Sequence, residues 1–187
     1  MKKLLLSLFL AIAVPLAAQS ETYTFRSENP ITIPIFGPAD PGILYVEGVP
    51  EDVVNITLRL FGYKHRFTAE TMVALTNPNG FTTLIWASVS CRVTAPIDLE
   101  FIDGTEENFR DNCSTGTYLP GAEQRERTFT LPIAPKKPYF AELNQLIEAD
   151  GVDGRWLLWS EDFSRGDGGE ITSWEIIFET ASPPVDE

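Results

Sequence analysis

From residue 31 to residue 179 the sequence is built of short β-branched and aromatic runs, each closed by proline, glycine or an acidic turn. The runs are ITIPIF (31–36), ILYVEGV (43–49), VVNITLRLF (53–61), TMVALT (71–76), TTLIWASV (82–89), IDLEFI (97–102), RTFTLPI (127–133), RWLLWS (155–160) and ITSWEIIFE (171–179). In VVNITLRLF, Val54, Ile56, Leu58 and Leu60 share one face while Asn55, Thr57 and Arg59 share the other. That two-residue period belongs to a half-buried strand. About nine such strands, punctuated by turn sequences such as NPNG (77–80) and SRGDGG (164–169), predict an all-β chain folded as an antiparallel sandwich. One segment departs from the pattern. PYFAELNQLIEADG (138–151) sets Phe140, Leu143, Leu146 and Ile147 at helical spacing between Pro138 and Gly151. It reads as a short helix near 138–149, or as a compact loop over one end of the sandwich.

The amino terminus says where such a domain works. Lys2 and Lys3 precede the apolar run LLLSLFLAIAV, and Pro15 and the small residues Ala17 and Ala18 follow. This is the layout of a secretory signal peptide, and the run falls short of the ~20 residues a bilayer span needs. The expectation is a leader over 1–18 and one sandwich over 19–187, with its core at about 30–180 and a flexible tail, ASPPVDE, at 181–187. The mature protein is expected to be secreted or periplasmic. No other stretch is apolar enough to cross a membrane, so no membrane insertion is expected. The formal charge is −13, and losing Lys2 and Lys3 with the leader makes it two units more negative. Such a surface repels phosphate backbones, which argues against nucleic acid, and is compatible with calcium.

Two cysteines, Cys91 and Cys113, lie in the exported part. An oxidising compartment favours a disulfide, closing a loop of roughly 20 residues worth ~3 kcal/mol. His65 is the sole histidine, and no GxSxG-like turn surrounds any serine. It reads as a structural, hydrogen-bonding residue rather than a general base. Acidic residues are plentiful, but abundance is not a matched carboxylate pair. Two acidic loops are candidates for calcium: 98–112, with Asp98, Asp103 and Glu106 among its carboxylates, and 160–170, with Asp162 and Asp167. Of the four tryptophans, Trp156 and Trp174 sit in strand patterns and are expected in the core. Trp159 is expected to face outward, where it would serve a sugar-stacking platform.

GRWLLWSEDFSRGDGGEITSWEIIF (154–178) supplies Gly154, Trp156, Leu158, Asp162, Gly169, Ile171, Trp174 and Ile176. In that order they resemble the closing motif of the P domain (P/Homo B domain) of proprotein convertases and bacterial subtilisin-like proteases. That motif runs Gly-x-Trp-x-Leu, an Asp, a glycine turn, then an aliphatic and Trp-x-aliphatic. A second stretch, 53–80, is similar to the family's histidine-ended strand, acidic residue and Pro-x-Gly turn through His65, Glu70, Val73, Leu75, Pro78 and Gly80. Glu70 replaces the usual Asp, and Thr71 stands where an aliphatic is common. FID (101–103) resembles the family's Phe-Asp-Asp with one Asp missing, and Pro138 and Leu143 match the Pro and Leu before Gly-x-Trp. The likeness spans roughly 30–180; the cysteine pair and the insert around 104–135 depart from it.

The resemblance implies a jelly-roll-like β-sandwich that accompanies a subtilisin-like catalytic domain, stabilises it and shapes its calcium and pH dependence, without cleaving peptides itself. The expectation is therefore a secreted, non-catalytic accessory module, calcium-stabilised, with a protease or surface protein as partner. The alternative is a carbohydrate-binding jelly roll with a glycan partner, which requires an exposed aromatic row.

Overall fold

The computed structural model describes residues 20–121, 127–148 and 151–181; the expected leader and residues 182–187 of the expected tail lie outside the described residues. The strands are β1 (Thr22–Ser27), β2 (Ile31–Ile33), β3 (Gly37–Pro38), β4 (Gly42–Val46), β5 (Val53–His65), β6 (Thr71–Thr76), β7 (Thr82–Ala87), β8 (Val93–Phe101), β9 (Gly116–Tyr118), β10 (Gly154–Asp162), β11 (Gly169–Ile171) and β12 (Ser173–Thr180). One sheet runs β1-β12-β5-β8-β9, with β11 and β2 continuing it beside the end of β5; the other runs β4-β10-β6-β7, with β3 also on β10. All pairings are antiparallel except β8 with β9.

Take β1, β4, β5, β6, β7, β8, β10 and β12 as an eight-strand chain. The sheets then read 1-8-3-6 and 2-7-4-5. That is the order of a jelly roll, in which successive strands are exchanged between two facing sheets. The all-β sandwich expected from periodicity is the fold.

Its core comes from matched alternation. Ile56, Leu58 and Leu60 of β5 pair in register with Phe178, Ile176 and Trp174 of β12, and all six are fully buried. Across the gap stand Trp156 and Leu158 of β10, Val73 and Leu75 of β6, and Leu44 and Val46 of β4, in the same core cluster. Val54, expected on that face, is 55% exposed. The pairing skips it, since Glu179 faces Asn55 and Thr180 faces Val53. Val54 is therefore the extra residue of a β-bulge, which turns its side chain out of the alternation.

β6 and β7 are buried along their whole length, which a two-layer sandwich does not require of its outer face. The cause is a third layer. Phe129 and Ala134, with Leu131 and Tyr139, pack on Met72, Ala74, Leu84, Ala87 and Trp159. RTFTLPI (127–133), expected as a strand, is thus an irregular cover. Its anchor is Glu161, 1% exposed, whose carboxylate accepts the Thr130 N–H at 2.8 Å and the Thr130 hydroxyl at 2.5 Å. The helix expected near 138–149 does not form; the segment is the compact loop, with a single 3-10 turn at Asn144–Leu146. Phe140 instead exchanges backbone hydrogen bonds with Thr82 and Leu84 at the edge of β7. The Asp103 carboxylate accepts the Leu143 and Asn144 N–H groups at 3.0 and 2.7 Å, which holds Leu143 and Leu146 fully buried.

Cys91 and Cys113 form the expected disulfide, with Cα atoms 6.1 Å apart and a sequence separation of 22. It ties the turn after β7 to the loop before β9, beside the fully buried Trp86, Phe109 and Tyr118. Because the bridge restricts the unfolded chain, the Cys91→Ala/Cys113→Ala variant is expected to lose about 3 kcal/mol of stability, read from the urea midpoint and slope. A loss under ~1 kcal/mol would mean that the aromatic cluster holds this loop unaided.

Candidate functional site

The two stretches that carry the family resemblance meet at the end of the sandwich where β5 and β10 finish. His65 closes β5 and Asp162 closes β10, so the residues come from opposite sheets. Both side chains are fully buried, and His65 Nε2 lies 2.9 Å from Asp162 Oδ2. The Phe67 N–H donates to His65 Nδ1 at 3.2 Å, which leaves Nε2 to carry the proton and donate it to the carboxylate. The other carboxylate oxygen accepts the Ser164 N–H at 2.7 Å. Both ring nitrogens are thus engaged inside the protein, and the pair acts as a clamp between the sheets.

Neighbouring motif residues fit this geometry closely. Gly169 pairs with His65 in register, and a Cβ there would collide with the Lys64 carbonyl and the His65 ring. Gly154 has φ +131°, and a Cβ would come 2.8 Å from Pro78 of the second stretch. Both positions demand glycine, one for close approach and one also for its backbone. Trp156 and Trp174 are fully buried, as expected, and Trp156 Nε1 donates to the Val152 carbonyl at 2.8 Å. Glu70 ends the 3-10 turn Thr68–Glu70, and its carbonyl accepts the Phe163 N–H at 2.8 Å.

A polar network lies behind the clamp. Tyr63 is fully buried and donates to Thr68 Oγ1 at 3.2 Å; Thr71 Oγ1 donates to the Thr68 carbonyl and accepts the Trp86 indole N–H, both at 2.9 Å. Burial, with a smaller contribution from the Asp162 charge, pushes the Tyr63 phenol up to about 12, against the pull of its Thr68 and Thr71 contacts. The phenol ionises near 10 once unfolded, so this stability is complete below about pH 10 and is lost as pH rises toward 12. Tyr63→Phe is expected to flatten the fall in urea midpoint across that window. Parallel curves for the two proteins would show that Tyr63 does not titrate late.

The five carboxylates expected to hold calcium are dispersed. Asp98 accepts the Gly62 N–H at 2.8 Å, Asp103 caps the 3-10 turn, and Glu106 stands exposed on its loop. Asp162 is bonded to His65, and Asp167 lies 3.8 Å from Arg66. Among the described residues, no group of three or more His, Cys, Asp or Glu side chains is placed to hold a metal ion. Trp159, expected to face outward, is 4% exposed, covered by Phe129, with its Nε1 donating to Thr76 Oγ1 at 3.0 Å. It does face away from the inter-sheet core, but the third layer encloses it. Tyr63 and Tyr118 are also fully buried, whereas Tyr45 on β4 is 65% exposed.

One arrangement has no signature in the sequence. Arg26 of β1, Glu175 of β12, Arg59 of β5, Glu100 of β8 and Thr117 of β9 stand directly opposite one another across five strands. Arg59 reaches Glu100 at 2.5 Å and Glu175 at 3.2 Å, while Thr117 donates to Glu100 at 3.0 Å. Hydrogen bonding to Glu100 holds the Arg59 guanidinium above its ordinary value. Only the strand register brings these residues together, from positions as far apart as 26 and 175. Beside the row, Phe61, Asp98 and Thr115 complete an open cleft of about 260 Å³.

No model of a known protein family matches the chain, and no curated protein matches it.

Proposed function

We propose that this chain is an exported, non-catalytic accessory module of the P-domain kind, which acts by binding a protein partner and stabilising it. The observation that carries the reading is the buried His65–Asp162 bond at 2.9 Å. It joins the two stretches that resemble the P domain, and together with the Phe67 N–H on Nδ1 it leaves both nitrogens of the chain's sole histidine engaged. A histidine so placed has no nitrogen with which to take a proton from a serine or a water. The jelly-roll strand order and the burial of Trp156 and Trp174 agree with the architecture that the resemblance implies. Export rests on the leader-like amino terminus and is consistent with the Cys91–Cys113 bridge, since disulfides persist in oxidising compartments.

The test is to mix the purified mature protein with the isolated catalytic domain of a bacterial subtilisin-like protease. A longer thermal half-life of the protease, with no casein hydrolysis by the module alone, is the expected result. Casein hydrolysis by the module that His65→Gln abolishes would overturn the non-catalytic assignment. An unchanged protease half-life would remove the accessory role.

A further inference from the structure

The cleft beside the charged row lies on the outer face of the sheet, across β5, β8 and β9. Arg59, Phe61, Asp98, Glu100, Thr115 and Thr117 line its about 260 Å³, while their chain neighbours Leu60, Leu99 and Tyr118 are buried in the core. A β-bulge shapes it. Leu60 pairs with Leu99 and Tyr63 with Ile97, so Phe61 and Gly62 together stand opposite Asp98 alone. Gly62 has φ +64°, and its N–H donates to Asp98 Oδ1 at 2.8 Å. Such a bulge bends its strand and re-aims a side chain, and here the side chain is Phe61. The Arg26 guanidinium, 4.4 Å from the centroid of the Phe61 ring, steadies that ring.

The polar groups of the cleft are each oriented by an internal bond and keep capacity for another. Asp98 Oδ1 is taken by Gly62, and Oδ2 accepts no hydrogen bond from the described residues. Thr115 Oγ1 accepts the Asp98 N–H at 3.1 Å, which leaves its hydroxyl proton to donate. Thr117 donates to Glu100 at 3.0 Å and keeps its lone pairs. Arg59 is matched by Glu100 and Glu175. An anion entering this cleft meets the Asp98 and Glu100 carboxylates, and a cation meets the Thr115 donor and Arg59. A sugar hydroxyl donates and accepts at once, so it satisfies both kinds of group, and the C–H face of its ring packs against Phe61.

We propose that this cleft binds a neutral saccharide, with Asp98 Oδ2 accepting from one hydroxyl, Thr115 donating to another, and Phe61 packed against the sugar ring. Its volume of about 260 Å³ falls below the roughly 300–1,000 Å³ of enclosed small-molecule sites, which suits a short stretch of a glycan that runs on into solvent. One ring inside a polar cleft thus takes the place of an exposed aromatic row. The proposal does not rest on the accessory role above.

The experiment is isothermal titration calorimetry of the mature protein with neutral oligosaccharides of glucose, mannose, galactose and N-acetylglucosamine. Binding to at least one of them, unchanged by added NaCl, is expected. Asp98→Asn keeps an oxygen for the Gly62 N–H but turns the open acceptor into a donor, and it is expected to weaken binding by at least about tenfold. Phe61→Leu keeps apolar bulk without the ring and is expected to weaken it as well. Tyr45→Ser, at a 65% exposed ring on the other sheet, is expected to leave it unchanged. Unchanged melting temperatures confirm that the variants fold. No binding to any of the four oligosaccharides overturns the proposal. So does binding that Tyr45→Ser abolishes and Asp98→Asn spares, which would put the sugar elsewhere. Salt-sensitive binding of polylysine without saccharide binding would identify a basic peptide as the ligand, and overturns it too.

Discussion

Asp162→Ala is expected to lower folding stability by about 3–5 kcal/mol, enough to unfold much of a marginally stable domain. The substitution leaves the His65 Nε2–H and the Ser164 N–H without an acceptor, the former where no water reaches. An unsatisfied buried donor costs far more than the net worth of the bond it made. Asp162→Asn separates geometry from charge. Its amide oxygen still accepts from His65, but its NH₂ then faces the Ser164 N–H, donor against donor, so an intermediate loss is expected. The double variant His65→Ala/Asp162→Ala is expected to lose clearly less than the sum of the two single losses, because each single variant orphans the other partner. Urea midpoints of the four variants and of the unsubstituted protein provide the measurement. A loss below about 1 kcal/mol for Asp162→Ala, or strict additivity, would show that the clamp contributes little to holding the sheets together.

This clamp also marks how far the sequence is legible. Period-two alternation in β5 places Ile56, Leu58 and Leu60 correctly, because a strand with one buried face declares that face in its own residues, and the strand-like runs of β10 and β12 place Trp156 and Trp174 in the core. Val54 escapes the same logic, since its bulge depends on how β12 pairs and leaves no local trace. RTFTLPI has strand-like composition because it covers apolar side chains of β6, β7 and β10, and apolar content does not distinguish a covering loop from a strand. The same cover buries Trp159. β1 and β9 lie outside the nine expected runs: TYTFRS has the alternation but precedes the expected core, and Gly116–Tyr118 gains strand geometry only by pairing with β8. At the site, His65 and Asp162 were each visible as motif residues. Their bond was not, since 97 positions separate them and only the exchange of strands between sheets brings them together. The carboxylates of 98–112 and 160–170 read as two clusters along the chain, yet Asp98, Asp103 and Asp162 each face a different backbone amide. Charge density in a sequence does not say where each oxygen points.

The two core tryptophans of the closing motif are expected to behave alike when truncated and differently when trimmed. Trp156→Ala and Trp174→Ala each remove a fully buried indole, and each is expected to cost about 3–5 kcal/mol through lost transfer energy and the cavity left behind. Trimming to phenylalanine separates packing from hydrogen bonding. Trp156 Nε1 donates to the Val152 carbonyl, so Trp156→Phe also orphans a buried acceptor. Trp174 Nε1 has no hydrogen-bond partner among the described residues and lies against Gly42, where a Cβ would come 2.9 Å from it. Trp174→Phe therefore gives up volume alone, and it also removes a buried polar group that costs free energy as it stands. Its loss is expected to be smaller than that of Trp156→Phe by about 1 kcal/mol, the net worth of one buried hydrogen bond. Paired urea titrations of the two phenylalanine variants read the difference directly. Equal losses would mean that volume governs both positions, and that the Trp156–Val152 bond adds nothing to the packing around it.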